Sequence, residues 1–218
     1  MIVHSFDPVV LVGGAYLGPS DLNIPQRDVA TFVAVDSGAD HLLAHGITPV
    51  AVIGDLDSLS DAARAAFADR LHHIAEQSTV DFDKALRNID APLIYAVGFA
   101  GGRIDHTLAV LNVLGQNPTR PVILLSDDDA SMIAPPTGLT LQLPIGTRIS
   151  LMPLADARVD GLGLVWPILD QAMHPMRFTS PSNAVAADKV EIYAMGPVLV
   201  TVPRAHVAAL AQGVARAK

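Results

Sequence analysis

The chain has 218 residues, enough to bury a sizeable core in one large domain or two modest ones. Half of the residues are hydrophobic and 17% are charged, which excludes a disordered tail. A net charge of -8 without any Lys/Arg-rich run argues against nucleic acid as the main partner, and the lack of cysteine excludes thiolate metal sites, disulfides and cysteine nucleophiles. The opening MIVHSFDPVV has no basic segment leading into a long apolar one, and no apolar run approaches the length of a membrane span. A soluble, cytoplasmic protein is therefore expected.

Val9–Val12 is a continuous apolar run that reads as a first strand, ending at Gly13-Gly14. That pair is either a plain turn or a place where backbone comes close to a ligand. Ser20–Arg27, with Pro25 inside it, reads as a loop or a poor helix. Then come two apolar runs, Phe32–Val35 and Val50–Ile53, with a short helix Ala39–His45 between them that Gly46 closes. The first run ends in Asp36-Ser37-Gly38-Ala39-Asp40 and the second in Gly54-Asp55-Leu56-Asp57-Ser58. This strand–helix–strand unit carries acids at the C-terminal ends of both strands, where open parallel sheets bind their ligands. Asp and Ser also favour turns and caps, but that explains poorly two carboxylates that bracket one Leu beside a Gly. Carboxylates gathered there repel one another unless a cation joins them, and a hard divalent ion bridging to phosphate is the usual resolution.

Ser60 caps a helix predicted over 61–71, and Leu71–Ala75 reads as a strand with His72 and His73 at the surface. Ser78 with Asp81 three residues on resembles a capping box, which places Asp81 in the first turn of the next helix and Lys84 on the same face. Pro92–Val97 is another buried strand, followed by Gly98-Phe99-Ala100-Gly101-Gly102-Arg103-Ile104-Asp105-His106. Ile104, Leu108, Leu111 and Leu114 recur at helical spacing and Gly115 is expected to stop that helix. Gly101-Gly102 thus leads into a helix N-terminus suited to an anion, with Arg103 able to clamp phosphate and Asp105 and His106 in the first turn.

Pro121–Ser126 is one more strand, before Asp127-Asp128-Asp129. Strands and helices alternate up to this point, as in a parallel sheet. The texture changes near Pro135-Pro136. Short β-like runs follow at Leu139–Leu143, Arg148–Met152, Val190–Ala194 and Val198–Val202, separated by Gly/Pro turns. The expected fold is α/β, a parallel-sheet domain over residues 1–134 followed by a smaller, antiparallel β-sandwich-like domain over 135–218. Trp166, the chain's single tryptophan, stands in Gly163–Ile168 as either a core residue or a platform for a flat ligand. His206–Arg216 reads as a mildly amphipathic terminal helix, and repeats and low-complexity tracts are absent from the sequence.

In their order, these motifs resemble the thiamine pyrophosphokinase family. The resemblance rests on Asp36–Asp40, Gly54–Ser58, Val80–Leu86, Gly101–His106, Gly163–Pro167 and Ser180–Asn183, and covers the chain from Thr31 to about Val202. Ser37, Asp40, Ser78 and Val80 depart from the family pattern of Gly, Asn, an acid and Thr. The resemblance implies a catalytic domain over 1–134 and a thiamine-binding β domain over 135–218, in a homodimer with the site near the interface. It further implies Mg²⁺ with ATP as co-substrate, and transfer of pyrophosphate from ATP to the thiamine hydroxyl. Asp36, Asp55, Asp57 and Asp81 would hold the metal, with Asp55, Asp57, Asp81 and Arg103 as the catalytic set. Gly13, Gly14, Lys84, Gly101, Gly102 and His106 would surround the nucleotide, and Asp105, Trp166, Ser182 and Asn183 would recognise thiamine. Two other readings compete. One is a thiamine-binding homologue without turnover. The other is a haloacid-dehalogenase-like phosphatase, with Asp55-Leu56-Asp57-Ser58 as its nucleophile loop and Asp127-Asp128 as its second acidic motif.

Overall fold

A computed structural model of the chain describes residues 1–18, 21–22, 24 and 31–216. The segment Ser20–Arg27 therefore lies outside the described residues except for Asp21, Leu22 and Ile24. The chain forms two compact units, Met1–Val113 with Leu124–Ser126, and Leu114–Ile123 with Asp127–Lys218.

The first unit contains, in chain order, β1 (Val3–His4), β2 (Val9–Val12), β3 (Thr31–Val35), α1 (Gly38–Ala44), β4 (Ala51–Gly54), α2 (Asp61–Ala66), β5 (Leu71–His73), α3 (Asp81–Leu86), β6 (Ile89–Asp90) and β7 (Ile94–Val97). After it come α4 (Ile104–Gln116), which runs past Val113, and β8 (Val122–Leu125), whose last two residues belong with the first unit. Strands β7, β2, β3, β4 and β5 lie side by side in that order, all parallel. Every residue of β2, β4 and β7 is buried, which is why these strands read as unbroken apolar runs rather than alternating ones. The order reverses between β2 and β7. From β2 the chain adds β3, β4 and β5 on one side, then returns to place β7 on the other, making a topological switch point.

Two glycines let the chain ends meet there. A Cβ on Gly13 would stand 2.5 Å from the Gly98 carbonyl oxygen, and one on Gly98 (φ +72) would stand 2.5 Å from that of Gly13. Only a residue without a side chain fits at either place.

Local chemistry explains several boundaries. Ser60 caps α2 as expected, its hydroxyl accepting from the Ala63 N–H at 3.1 Å, but the α-helix ends at Ala66 and a 3₁₀ turn, Ala68–Arg70, completes the segment. The capping box at Ser78 does not form. Val80 is the N-cap of α3 and its apolar side chain has no acceptor to offer, while the Ser78 hydroxyl turns to Glu76. Asp81 still falls in the first turn. Helix α4 does not stop at Gly115 but continues to Gln116. Its buried face is Val110, Val113 and Leu114, while Ile104 and Leu108 of the expected stripe are 75% and 58% exposed.

The second unit is built from β9 (Asp129–Ile133), β10 (Leu139–Leu141), β11 (Arg148–Pro153), β12 (Ala157–Leu162), β13 (Ile168–Met173), β14 (Ser180–Ala184), β15 (Val190–Met195), β16 (Val198–Pro203) and α5 (Val207–Arg216). One antiparallel set runs β14-β11-β16-β9 and a second runs β10-β15-β12-β13. Burial alternates along β11 and β12, the pattern of a strand with one face on a core. Helix α5 packs so closely on β10 that a Cβ at Gly213 would lie 2.7 Å from Leu139.

Candidate active site

The C-terminal ends of β2, β3, β4 and β7 open on a single cavity of about 830 Å³ in the first unit. Parallel strands put all these ends on one edge, so residues far apart in sequence become neighbours. Gly14 follows β2, Asp36 follows β3, Asp55 and Asp57 follow β4, and Gly101, Gly102, Arg103 and His106 follow β7; all line the cavity. Asp81 and Lys84 enter from α3. Gly13 stands behind Gly14, and Asp105 points to Arg103 rather than into the cavity.

Carboxylate oxygens of Asp36, Asp55 and Asp57 lie within 4.8 Å of one another. Two residues with left-handed backbone create this approach, Asp36 (φ +48) and Leu56 (φ +62). The conformation is tolerable for Asp but costs a Leu roughly 1 kcal/mol. It turns the Leu56 N–H onto Asp36 Oδ1 at 2.8 Å, while Arg64 fixes the Leu56 carbonyl at 2.6 Å. The bracketing acids Asp55 and Asp57 are thereby brought to the same side.

Their electrostatics differ. Burial, then the Asp81 charge, raises the Asp36 carboxyl to about 7 against the Leu56 hydrogen bond that lowers it. For Asp55, burial pushes upward but the Gln77 amide, the Asp57 N–H and the Lys84 charge together hold the group below its ordinary value. Lys84 is 1% exposed, with its ammonium 2.8 Å from Asp81 and 3.9 Å from Asp55. An exposed i,i+3 pair is the ordinary outcome for such a sequence. Here the lysine is buried among acids. At the rim, Arg103 and Asp105 form a two-pronged exposed pair, which raises the guanidinium and lowers the carboxyl. Phe82 and Phe99 meet edge-on at 4.8 Å and form an apolar wall.

A hard, all-oxygen donor set with one carboxyl pushed toward protonation by burial and then by the Asp81 charge fits a divalent cation. Among the described residues this is the one such cluster found.

Trp166, Ser182 and Asn183 belong to the second unit. Trp166 is 62% exposed, which rules out a core role. Asn183 is buried, and both ends of its amide are engaged. Its Oδ1 accepts from the N–H groups of Trp166 and Ala184, and its Nδ2 donates to the Trp166 carbonyl at 2.8 Å and to Ser180. Ser182 (φ +58) sits where two residues of β14 face Ser150 of β11, a bulge that aims its side chain outward.

Comparison with known proteins bears on these positions. The family model described as thiamin pyrophosphokinase, catalytic domain, matches residues 26–124. A thiamine pyrophosphokinase from Bacillus subtilis is 30% identical over 157 residues, 67% of this chain and 73% of its own. The chain belongs to the thiamine pyrophosphokinase family. Thiamine pyrophosphokinase 1 from Arabidopsis thaliana is 27% identical over 173 residues, 71% of this chain but 65% of its own, so the match spans less than two thirds of that relative. Thiamine pyrophosphokinase 3 from rice is matched over 61% of its length. Solved thiamin pyrophosphokinases from Geobacillus thermodenitrificans (TM-score 0.74, 24% identity, 90% and 96% of the two chains) and Candida albicans (TM-score 0.77, 16% identity, 92% of each) share the fold. The match to residues 26–124 takes in Asp36, Asp55, Asp57, Asp81, Lys84 and the 101–106 segment of the cavity. Membership in this family leaves the phosphatase reading of Asp55–Ser58 without support.

Three contributors escaped the sequence reading. Gln77 reaches Asp55 at 3.2 Å, Phe99 forms wall, and the Leu56 N–H holds Asp36. Phe99 lies inside the Gly98–His106 segment and Gln77 directly before Ser78, but nothing in their spacing marks either. A backbone N–H has no sequence signal at all.

Proposed function

We propose that the protein is a thiamine diphosphokinase that transfers pyrophosphate from ATP to the hydroxyl of thiamine, giving thiamine diphosphate and AMP. The observation that carries this reading is the convergence of the Asp36, Asp55 and Asp57 carboxylates within 4.8 Å, in a chain of this family. In the reaction the hydroxyethyl oxygen of thiamine bonds to the β-phosphorus of ATP and releases its proton to the medium, and the bond from that phosphorus to the oxygen bridging it to the α-phosphorus breaks, so that AMP leaves. Asp36, Asp55 and Asp57, with Asp81 beside them, would hold Mg²⁺. Bound there, Mg²⁺ offsets triphosphate charge and polarises the phosphorus under attack.

The chain's own residues do the rest. Lys84, fixed between Asp81 and Asp55, presents a buried positive charge to the transferring group. Arg103, 70% exposed, exchanges Asp105 for a phosphate oxygen at the rim. Gly101 and Gly102, both at positive φ, let their backbone approach the nucleotide together with that of Gly14. Trp166 offers its exposed ring to stack on thiamine, and the exposed Ser182 a hydroxyl for polar contact. The same reading makes the protein a cytoplasmic homodimer with ATP and thiamine as its ligands. Among the described residues no helix is long and apolar enough to cross a membrane.

The test is AMP release from Mg-ATP by purified protein, with and without thiamine. One AMP per thiamine diphosphate supports the reaction. Inorganic phosphate without AMP overturns it, and thiamine binding without product leaves a binding protein.

A further inference from the structure

We propose that Glu76, Thr79 and Arg87 form a positioning clamp that holds the 76–80 loop on the cavity and takes the place of the side-chain cap that α3 lacks. The inference rests on the reading of the cavity as the reacting site. Val80 is the N-cap of α3 and has no side-chain acceptor for the N–H groups of the first turn. Thr would supply one. In its absence the loop before the helix is tied to the helix's far end.

Glu76 Oε1 accepts from the Thr79 hydroxyl at 2.5 Å and from the Ser78 hydroxyl at 3.3 Å, and it pairs with Arg87 at 2.8 Å. Arg87, the C-cap of α3, also donates to Thr79 Oγ1 at 3.3 Å and lies 3.8 Å from Asp83. Glu76, Thr79 and Arg87 thus close a ring in which each touches the other two. A lone exposed ion pair contributes little to stability, but a ring with shared partners acts as one unit.

What the ring positions is functional. Gln77, inside the tied loop, donates to Asp55 at 3.2 Å, and Asp81, the first residue of α3, meets Lys84. Gln77, Ser78, Thr79, Val80 and Asp81 all line the cavity, whereas Glu76 and Arg87 stand outside it. Glu76 and Arg87 therefore act through other residues and do not touch substrate.

The experiment uses the full-length protein, its Glu76→Gln, Arg87→Ala and Val80→Thr variants, and the Glu76→Gln/Val80→Thr double variant. Two readouts are taken: hydrogen exchange of the 83–87 amides of α3 without ligand, whose N–H groups include those of Asp83 and Lys84 bonded to the Val80 carbonyl, and KM and kcat for thiamine-dependent AMP formation. Glu76→Gln should speed exchange across 83–87 by about fivefold to tenfold, the effect of one lost cap on the helix it begins. It should raise KM by a similar factor, with kcat less affected. Arg87→Ala should reproduce this, and Val80→Thr should restore both readouts in the double variant. Exchange at the parent's rate in Glu76→Gln overturns the clamp, as does failure of Val80→Thr to recover the loss. If the exchange results hold but the parent makes no AMP, the clamp stands and the assigned reaction falls.

Discussion

Gly54 and Asp36 are fitted to each other with no room to spare: a Cβ on Gly54 would stand 2.7 Å from Asp36 Oδ1, the same oxygen that accepts the Leu56 N–H at 2.8 Å. Asp36 cannot retreat without breaking that bond. Gly54→Ala should therefore cost about 1–3 kcal/mol in stability. It should also lower turnover on the order of tenfold or more, as a carboxylate displaced by part of an ångström serves its ligand badly. Urea denaturation and AMP formation measure the two effects. A variant that matches the parent in both would mean that Asp36 is free to move.

Asp57 is exposed, and the bond it gives the Asp55 carboxylate at 3.3 Å comes from its backbone N–H, which a change of side chain leaves in place. Asp57→Asn should abolish thiamine-dependent AMP formation and leave the denaturation midpoint within about 0.5 kcal/mol of the parent. Near-normal rates in this variant would remove Asp57 from the metal set.

Lys84 lies 3.9 Å from Asp55 and competes with any cation for the same negative charge. Lys84→Met keeps the bulk and removes the competitor, so Mn²⁺ binding without nucleotide should tighten on the order of tenfold. Turnover should fall in the same variant, because the charge beside the transferring group is gone. Weaker Mn²⁺ binding would show that Lys84 organises the carboxylates rather than opposing the cation.

Asp36 sets a pH dependence whose sign follows from its raised pKa. The folded group titrates at about 7 and the unfolded one near 3.8, so the folded state is the better proton binder between these values. Its contribution is full below about 3.8 and is lost as pH rises through about 7. In EDTA, the melting temperature should fall with pH across this window, and Asp36→Asn should remove that part of the fall. Parallel melting curves for parent and variant would reject the assignment.

The parallel unit was legible because its strands are buried on both sides and end in residues that buried strands avoid. Asp36, Asp55 and Asp57 could be read as a group for that reason. Where the reading missed, the deciding interaction was remote in sequence. Helical spacing identified Ile104 and Leu108 as one stripe, but spacing does not tell whether anything covers a stripe, and both are exposed. Ser78 had the pattern of a cap, yet Glu76 attracted its hydroxyl and Val80 took the N-cap position. Strand β12 contains Asp160 and Gly161, and β14 contains Pro181 and a bulge; neither has the β-branched run that announces a strand. The resemblance assigns Asn183 to ligand recognition, and its amide bonds the backbone of Trp166 and Ala184 and the Ser180 hydroxyl.

That last arrangement makes the protein its own optical reporter. The chain has one tryptophan, so all of its indole emission comes from a single address, and that ring is 62% exposed on a backbone pinned at both its N–H and its carbonyl. Emission should begin at the long wavelengths of a water-facing indole. A flat molecule laid on the ring would quench or shift it, giving a label-free titration of any ligand that docks there.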